Sequence, residues 1–557
     1  MALFTADFET TTDSTDCRVW ACGICEIGNP DNFTYMNDID GFIEWSRKQR
    51  NVTTYFHNLK FDGEFILCWL FENGFKFVAE RRDLEKNTFT TLISDKGQFY
   101  SMEICFDRKG KEKDCLTIYD SLKILPFSVA DIAKGFNLPI SKLEIDYNET
   151  RKKGHILTKE EVDYLRNDVE IMARALHILF EQGLTKMTQG SNALFDYKRT
   201  VGTKNFNKWF PIPDYDSDIR QSYKGGFTYL NPKYKEIDLQ DGIVLDVNSL
   251  YPSVMYYKQL PYGEGIFFKG KYEPDKIYNL HVQMFTCQFE LKPGYIPTIQ
   301  LKNNLAFVPT QYLESSDGED VTLCLTNVDL ELFFEHYNVY NIEYHSGWKF
   351  KSTVGLFKEY IDKWNTVKIE SSLNGNKAMR TLAKLMLNAL YGKFALNPNV
   401  QSKIPWYDNG VVKYKLGEKE TRDPIYIPVG TFITAWARYE TISSAQKVYD
   451  RFVYADTDSL HLIGTEIPVM LEVDPVKLGA WKHESTFTRA RFIRQKSYIE
   501  EIGGELNITC AGMPERCYPY VTWDNFHTGS SYDGKLGMTH VNGGIVLKDI
   551  PFSIKCA

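Results

Sequence analysis

The sequence contains no hydrophobic run of the length that a membrane span requires. Hydrophobic residues make up 43% of its 557 positions and charged residues 25%, which is an ordinary balance for a folded protein. None of the apolar runs reaches the roughly 20 residues that cross a bilayer. The N-terminal stretch MALFTADFETTT also lacks a basic region followed by an apolar one, so we expect no signal peptide. These absences predict a cytosolic protein.

Cysteines are too scattered to form a disulfide framework. They number 11, an odd count, which favours reduced thiols. Cys22 and Cys25 form a C-x-x-C pair, but no second pair follows at zinc-site spacing, so we expect a structural role for both. Repeats, low-complexity tracts and long linkers are also missing. A chain of this length then predicts about three or four domains that pack together.

Basic residues do not predominate, and the net charge is −8. Proteins that bind nucleic acid, in contrast, are often basic. The total is a weak guide, since a metal-dependent enzyme concentrates carboxylates at its sites and keeps its phosphate-binding lysines local. Between Leu356 and Phe394 basic residues outnumber acidic ones. They are Lys358, Lys363, Lys368, Lys377, Arg380, Lys384 and Lys393.

The first third of the chain carries an ordered set of carboxylates. LFTADFETTT predicts a strand with Asp7 and Glu9 on one face, YFHNLKFDGEFIL supplies Asp62, and TKEEVDYLRNDVEIMARALHILF predicts a helix with Tyr164 and Asp168 on one face. Singly, these are typical of an exposed strand face or a solvated helix pair. Together, the four carboxylates would bind two divalent cations and Tyr164 would orient a water for phosphodiester cleavage.

A second set of carboxylates is spread over the later part of the chain. VYADTDSL favours a strand, which would project Asp456 and Asp458 from the same face. Two carboxylates so close repel each other unless a cation lies between them; the alternative is a polar hairpin tip. GIVLDVNSLYPSVM predicts an apolar strand that ends at Asp246, before a turn-like NSLYP. Asp246 is the candidate third carboxylate.

The stretch AMRTLAKLMLNALYGKFA predicts a helix with one polar stripe. At about 100° per residue, Arg380, Lys384, Asn388 and Tyr391 share the stripe, and the apolar side chains lie elsewhere. Such a helix can present cations to a triphosphate. The alternative is a solvated amphipathic helix.

DVNSLYP, KLMLNALYG and YADTDS, in this order, resemble polymerase motifs A, B and C of family B DNA polymerases. The carboxylates of the first third resemble the three motifs of their 3′–5′ exonuclease domains. The chain is most similar to the protein-primed, strand-displacing replicative polymerases of small phages with linear genomes, the phi-twenty-nine type. Shorter matching pieces are YKGGF at Tyr223, FITAWARY around Thr434 and Arg438, and KSY at Lys496.

This resemblance implies a multidomain fold of α/β and α+β parts. An RNase H-like 3′–5′ exonuclease domain would cover residues 1–186. A right-hand polymerase would follow, with a palm at 187–257 and 428–510, fingers at 356–394 and a thumb at 511–557. Two insertions, at 258–355 and 395–427, would be the terminal-protein regions, and DNG in the second predicts a hairpin turn.

The resemblance also implies residue roles at the polymerase site. Asp246 and Asp458 would hold two Mg²⁺ ions with the Val247 carbonyl assisting, and Asp456 would support them. The nucleotide would be bound by Leu250, Tyr251, Lys368, Arg380, Lys384, Asn388 and Tyr391. The ring of Tyr251 would leave no room for a 2′-hydroxyl. The family usually has lysine where Arg380 stands, and an insertion, SSLNGN, separates Lys368 from the helix.

Further roles concern the exonuclease site and DNA. Asp7, Glu9 and Asp168 would hold metal, with Glu144 as a further ligand, and Lys142 would stabilise the transition state. The frayed single strand would contact Thr10, His57, Asn58, Phe61, Phe65, Ser121, Leu122 and Tyr147. A last group of residues would contact the template and primer or link the two sites. These residues are Tyr223, Gly225, Gly226, Thr434, Arg438, Lys496 and Tyr498.

The function implied is a DNA-directed DNA polymerase with its own proofreading exonuclease. It would use two Mg²⁺ ions per active site, which Mn²⁺ could replace. Its partners would be template-primer DNA, deoxynucleoside triphosphates, a terminal protein that forms a heterodimer with it and supplies the priming hydroxyl, and a single-stranded-DNA-binding protein, all in the cytoplasm of an infected bacterial host. The rival hypotheses are a 3′–5′ exonuclease whose C-terminal region only binds DNA, and an inactive DNA-binding scaffold.

Overall fold

The computed structural model describes residues 2–146, 149–300 and 312–555. Tyr147, which the resemblance assigns to single-stranded DNA, lies outside these residues. Within them, every helix is too short or too polar to cross a membrane.

An eight-stranded mixed sheet occupies the first part of the chain. Its strands are β1 (Leu3–Thr10), β2 (Val19–Glu26), β3 (Asn29–Met36), β4 (Val52–Phe56), β5 (Lys76–Phe77), β6 (Thr88–Ile93), β7 (Phe99–Lys109) and β8 (Glu112–Asp120). The accompanying helices are α1 (Ile39–Gln49), α2 (Leu59–Glu72), α3 (Val129–Gly135) and α4 (Lys159–Glu181). The spatial order β3-β2-β1-β4-β8-β7-β6-β5 makes β1 an inner strand, parallel to β4. The predicted strand with Asp7 and Glu9 and the predicted helix with Asp168 are confirmed.

The middle of the chain adds helices and a second, smaller sheet. Its elements are α5 (Gln189–Val201), α6 (Thr203–Trp209), α7 (Asp216–Arg220), β9 (Thr228–Leu230), β10 (Asp238–Val247), α8 (Leu250–Tyr257), β11 (Leu260–Lys269), β12 (Leu280–Leu291), β13 (Ile299–Gln300), β14 (Tyr312–Leu313), β15 (Val321–Thr326), α9 (Asn327–His336) and β16 (Tyr337–Thr353). Strands β11, β16, β12 and β15 form a four-stranded antiparallel sheet. This sheet and α9 lie within 258–355, the range predicted for the first insertion.

Two antiparallel helices and a hairpin follow. These elements are α10 (Lys358–Leu373), α11 (Lys377–Ala389), α12 (Tyr391–Phe394), β17 (Asn399–Asp408) and β18 (Val411–Thr421). The hairpin turn predicted at DNG is confirmed, because Asp408 pairs with Val411 and Asn409 takes a positive φ of 50°. The predicted single helix through Tyr391 is wrong at its end, since α11 stops at Ala389 and Tyr391 begins a separate turn of helix.

The last part of the chain completes a seven-stranded sheet and adds a separate hairpin. The elements of this part are α13 (Ile427–Lys447), β19 (Phe452–Asp456), β20 (Ser459–Ile463), β21 (Trp481–Arg494), β22 (Ser497–Ile502), β23 (Glu505–Cys510) and the hairpin strands β24 (Ser531–Val541) and β25 (Gly544–Ser553). In the spatial order β23-β22-β21-β10-β20-β19-β9, β10 lies between β21 and β20, and β9 is the edge strand beside β19. Both precede their neighbours by about two hundred residues of chain. This sheet therefore joins both ranges predicted for the palm.

The hairpins β17–β18 and β24–β25 meet at their tips and rest on α2. Val412 of β18 and Ile545 of β25 share an apolar cluster with Phe65 of α2. A Cβ added at Gly410 would lie 2.9 Å from the side-chain nitrogen of Asn542. Three distant parts of the chain are thereby held together at one junction.

A single buried carboxylate, that of Glu64 in α2, anchors the junction. The Tyr414 hydroxyl of β18 donates a hydrogen bond of 2.8 Å to Glu64 Oε1. His540 Nε2 of β24 lies 3.2 Å from the same oxygen. Each hairpin therefore makes its own polar contact to α2.

Candidate active sites

Four carboxylates converge where β1, α2 and α4 meet. Glu9, Asp62 and Asp168 are buried, and Asp7 is half-buried beside them. The Phe8 backbone N–H donates to Asp62 Oδ1 at 3.2 Å, which ties α2 to β1. A capping box formed by Thr158 and Glu161 starts α4 at a fixed point. The set that the sequence predicts is thus assembled from three elements.

These carboxylates repel one another in a region that excludes water. Burial, and then the charge of Asp168, raises the pKa of Asp7 to about 7. Burial and the neighbouring acids also raise the pKa values of Glu9 and Asp62. The Oδ1 atom of Asp168 is buried without a hydrogen-bond partner among the described residues. Such a set of hard oxygen donors fits divalent cations in kind and in charge.

Two further side chains complete this site. Lys142 Nζ donates to Asp168 Oδ2 at 2.6 Å and lies 5.6 Å from the centre of the Tyr164 ring. The Tyr164 hydroxyl also hydrogen-bonds to Asp168. The structure therefore brings Lys142 and Tyr164 to the predicted place. Glu144, in contrast, is exposed in the loop after Lys142, which does not support a role as metal ligand.

The residues predicted to hold a frayed strand differ in accessibility. Thr10, Phe61 and Leu122 are half-buried, and Asn58 is exposed in the left-handed conformation with φ 73°. Both nitrogens of His57 have partners, the Ser121 hydroxyl at 3.0 Å and the Phe127 carbonyl at 2.7 Å. The structure thus leaves the ring face of His57, rather than its nitrogens, for stacking.

Two residues of this predicted set are buried and do not present a surface to DNA here. Phe65 packs under the backbone of Gly544, and Ser121 donates to the Phe56 carbonyl at 3.0 Å. Burial arises because the β24–β25 tip covers Phe65 and because Ser121, directly after β8, bonds to the last residue of β4. Neither contact was visible in the local sequence.

A second group of carboxylates meets at one edge of the seven-stranded sheet. Strand β20 lies between β10 and β19, and its Ser459 pairs with both Asp246 and Asp456. The Val247 N–H donates to the Asp458 carbonyl at 2.8 Å. These pairings bring the ends of β10 and β19 to the same place, so the three predicted acids do meet.

The prediction that Asp456 and Asp458 share one face of a strand is wrong. Strand β19 ends at Asp456, and Thr457 and Asp458 form a two-residue hairpin turn in which Thr457 has a φ of 60°. The Thr457 N–H donates to the Phe227 carbonyl at 2.7 Å, and its carbonyl accepts from the Thr441 hydroxyl at 2.6 Å. Contacts on both sides stabilise a conformation that a β-branched residue rarely adopts.

Asp456 is neutralised by a neighbouring lysine, whereas the other two acids are not. Lys496 Nζ lies 2.7 Å from each oxygen of Asp456. Burial, and then the charge of Asp458, raises the pKa of Asp246 to about 6. Burial also raises the pKa of Asp458. The charges of Lys482 and Lys496 offset these rises only in part. Asp456 is the acid held in a direct lysine ion pair, and it supports the turn.

These residues line a cavity of about 630 Å³ that opens on the sheet edge. Lys496 and Tyr498 form part of its wall, as do Glu484, Glu500 and Asn507 from neighbouring strands. No motif in the sequence marks Glu484; only the pairing of β21 with β10 brings it to the cavity.

The predicted polar stripe faces solvent on α11. Arg380, Lys384 and Asn388 are exposed, while Leu382 and Met386 are buried. Burial and the charges of Lys384 and Arg380 lower the pKa of Lys368 on α10. Three cations are thus close enough to repel, and the insertion before α11 has not removed Lys368 from the group.

Two tyrosines of the predicted nucleotide-binding set stack on each other. The rings of Tyr251 and Tyr391 stack with centroids 4.0 Å apart. Leu250 is buried beneath them at the start of α8, where the sequence had indicated a turn. Burial raises the pKa of Tyr251, and the nearby hydroxyls of Tyr391 and Tyr223 raise it further. The predicted nucleotide contacts Leu250, Tyr251 and Tyr391 therefore lie together.

The direct DNA contact predicted for Thr434 and Arg438 does not fit their burial. Arg438 is 2% exposed; its guanidinium donates to both carboxylate oxygens of Asp329 in α9 and to the carbonyls of Lys224 and Gly225. Thr434 donates to the Thr431 carbonyl of its own helix. Arg438 instead fixes the Lys224–Gly225 backbone, which precedes the glycine in contact with Thr457.

Metal ligation needs some adjustment of the side chains. In the described ranges, no three His, Cys, Asp or Glu side chains are already arranged as a metal-binding group. Cys22 and Cys25 are buried free thiols in β2.

Known proteins match this chain along its length. The family model for DNA polymerase type B, organellar and viral, matches residues 43–474. The DNA polymerase of Bacillus phage M2 is 51% identical, covering 99% of both chains, and that of Bacillus phage phi29 is 50% identical with the same coverage. The structure of phi29 DNA polymerase complexed with primer-template DNA and incoming nucleotide substrates superimposes with a TM-score of 0.94, at 50% identity and over 100% of both chains.

The fold, the two carboxylate sites and these similarities define a DNA-directed DNA polymerase, a nucleotidyltransferase. The class explains why the cations of α10 and α11 lie near acidic groups of the sheet, since a triphosphate and a primer end must be bound together. Within that class, the chain belongs to the DNA polymerases of type B, organellar and viral. Divalent metal dependence is general in this family.

Proposed function

We propose that the cavity bounded by Asp246, Asp456 and Asp458 is the polymerisation site and that the Asp7, Glu9, Asp62 and Asp168 cluster is a separate 3′–5′ proofreading site. The observation that supports this most directly is the convergence of β10 and the β19–β20 turn beside the cations of α10 and α11. The domain ranges given above follow as part of the proposal.

At the polymerisation site, the chain's residues act by position and charge. Asp246, Asp458 and the Val247 carbonyl would hold two Mg²⁺ ions, for which Mn²⁺ could substitute. When bound, the ions would lower the pKa of the primer 3′-hydroxyl and stabilise the leaving pyrophosphate. Lys368, Arg380 and Lys384 orient the triphosphate, and Asn388 and Tyr391 contact the nascent base pair.

The substrate's sugar is selected by packing. Tyr251 is held against Tyr391 at 4.0 Å, so its ring cannot turn away from an added 2′-hydroxyl without losing that contact. Leu250 closes the other side. Lys496 and Tyr498 support the primer strand through sequence-independent contacts.

At the proofreading site, Asp7, Glu9 and Asp168 would hold the metal ions and Asp62 would support them. Tyr164 orients the attacking water, and Lys142 stabilises the charge that develops on the phosphate. Phe61, Leu122 and the ring of His57 would stack on the frayed strand without reading its bases.

The remaining assignments rest on the resemblance of the sequence to protein-primed phage polymerases. The chain would start synthesis on a hydroxyl of a terminal protein, bound to residues 258–355 and 395–427 as a heterodimer, and would work with a single-stranded-DNA-binding protein in the cytoplasm of the infected bacterium. The tip contact between the β17–β18 and β24–β25 hairpins supports processive, strand-displacing synthesis, because it closes a path around DNA.

Two variants test the separation of the sites. Asp458→Ala should abolish nucleotide incorporation and leave degradation of single-stranded DNA intact, because the acids of the two sites belong to different parts of the fold. The double variant Asp7→Ala, Asp62→Ala should do the reverse. Both activities are measured on one labelled primer with Mg²⁺, with and without nucleotides. Equal loss of both activities in either variant would contradict two separate sites.

The same wild-type protein tests displacement. On a singly primed circular template without helper proteins, we expect products longer than one circuit. Products that stop at one circuit would contradict processive displacement while leaving the site assignment standing.

A further inference from the structure

Lys482 occupies a position at the polymerisation site that no predicted motif covers. It lies at the start of β21, directly opposite Asp246 of β10 in an antiparallel pair. Side chains at directly opposed positions project from the same face, with Cβ atoms about 5 Å apart. Lys482 is therefore a near neighbour of a carboxylate at the centre of the proposed chemistry.

The charge of Lys482 also acts on the cations that approach from the helices. Burial, and then the charges of Arg380 and Lys482, lowers the pKa of Lys384 on α11. Lys482 thus stands between the palm carboxylate and the cation cluster of α10 and α11. Lys482 is a fourth cation beside Lys368, Arg380 and Lys384, and an anion bound among the four would relieve their mutual repulsion.

The ion pair of Lys482 leaves it able to move. Its Nζ lies 2.5 Å from Glu484 Oε2, and the two side chains are 35% and 52% exposed. An exposed pair of this kind contributes little stability. A lysine has a flexible stem and a compact charge, so it can exchange one oxygen partner for another.

We propose that Lys482 is a triphosphate-binding residue, which leaves Glu484 when a deoxynucleoside triphosphate enters and contacts its phosphates from the side opposite α11. The inference rests on the nucleotide role proposed above for Lys368, Arg380 and Lys384. It adds a contact from the sheet, so that phosphate charge is neutralised from both walls of the site.

Kinetics of single-nucleotide incorporation test this role. In Lys482→Met, which keeps most of the stem but removes the charge, the KM for the nucleotide should rise about tenfold, the order expected for one lost charge-assisted hydrogen bond. The inhibition constant of inorganic tripolyphosphate, which has neither base nor sugar, should rise by a similar factor. Lys482→Arg should restore both values, because it keeps the charge.

A structural role would give a different pattern. If Lys482 only supported Asp246, Lys482→Met would lower kcat or raise the KM for primer-template, and tripolyphosphate inhibition would not change; that result would overturn the proposal. Lys477→Met is the matched control, because Lys477 pairs with Glu472 in an exposed loop, and it should leave all constants unchanged. Failure of the wild-type protein to extend a primer would instead contradict the site assignment itself.

Discussion

A methyl group added at Gly226 should disable polymerisation while leaving excision intact. A Cβ at this position would lie 2.7 Å from Oγ1 and 2.8 Å from Cγ2 of Thr457. Ordinary contacts are about 3.5 Å, so Thr457 would have to retreat by about 0.7 Å. Its backbone is held on both sides by Phe227 and Thr441, and the strain would pass to Asp456 and Asp458.

The expected effect of Gly226→Ala follows from this displacement. Overpacking of this kind costs about 1–3 kcal/mol of stability, which a protein of this size should tolerate. Displacing catalytic groups by about 1 Å lowers rates by about 100-fold. Single-turnover incorporation should fall by that order, with degradation of single-stranded DNA unchanged as the internal control.

The neighbouring glycine provides the matched comparison. A Cβ at Gly225 would meet nothing within 4 Å, so Gly225→Ala should retain incorporation within about twofold, the range expected of a substitution without steric conflict. Urea unfolding of both variants checks that the fold survives. If Gly226→Ala polymerised at the wild-type rate, or if Gly225→Ala lost as much activity, the contact with Thr457 would not control the turn.

Two further outcomes are expected. Tyr251→Val should increase incorporation of ribonucleotides relative to deoxyribonucleotides, because the ring stacked on Tyr391 would be lost; an unchanged ratio in primer extension would contradict steric selection. The hydrogen bond to Glu64 raises the pKa of His540 above its usual range, although Lys60 opposes it, so the charged pair stabilises the junction below a pH of about 6.5 and this contribution is lost as pH rises through the raised pKa. The ring is 37% exposed, which limits the effect to less than about 1 kcal/mol. Melting temperatures from pH 6 to pH 9 should therefore converge for wild type and His540→Gln at high pH, and a constant difference between them would exclude the ion pair.

Spacing predicted the carboxylates but not their local geometry. Asp7, Glu9 and Asp168 follow from strand and helix periodicity, which the structure retains. The turn at Thr457 does not follow, because β-branched residues favour strands and only tertiary hydrogen bonds hold this one at a φ of 60°. The motif sequence indicated a catalytic site, whereas hydrogen bonds with Phe227 and Thr441 determine the backbone conformation at Thr457.

Contacts between distant parts of the chain account for the other differences. Arg438 lies in a recognisable stretch, yet its carboxylate partner Asp329 comes from the first insertion, so burial could not be foreseen. Lys482 has no local signal either, because only the register of β21 with β10 places it opposite Asp246. The junction at Glu64 depends on three segments that are far apart in sequence.

That junction has a topological consequence. The β17–β18 hairpin, the β24–β25 hairpin and the first third of the chain form a circuit of contacts, because Gly410 meets Asn542 and Gly543 lies against the Cys17 carbonyl. A polymer running through such a circuit can leave lengthwise but not sideways. A template with free ends can therefore be threaded, whereas a closed circle can enter only if the two tips separate first.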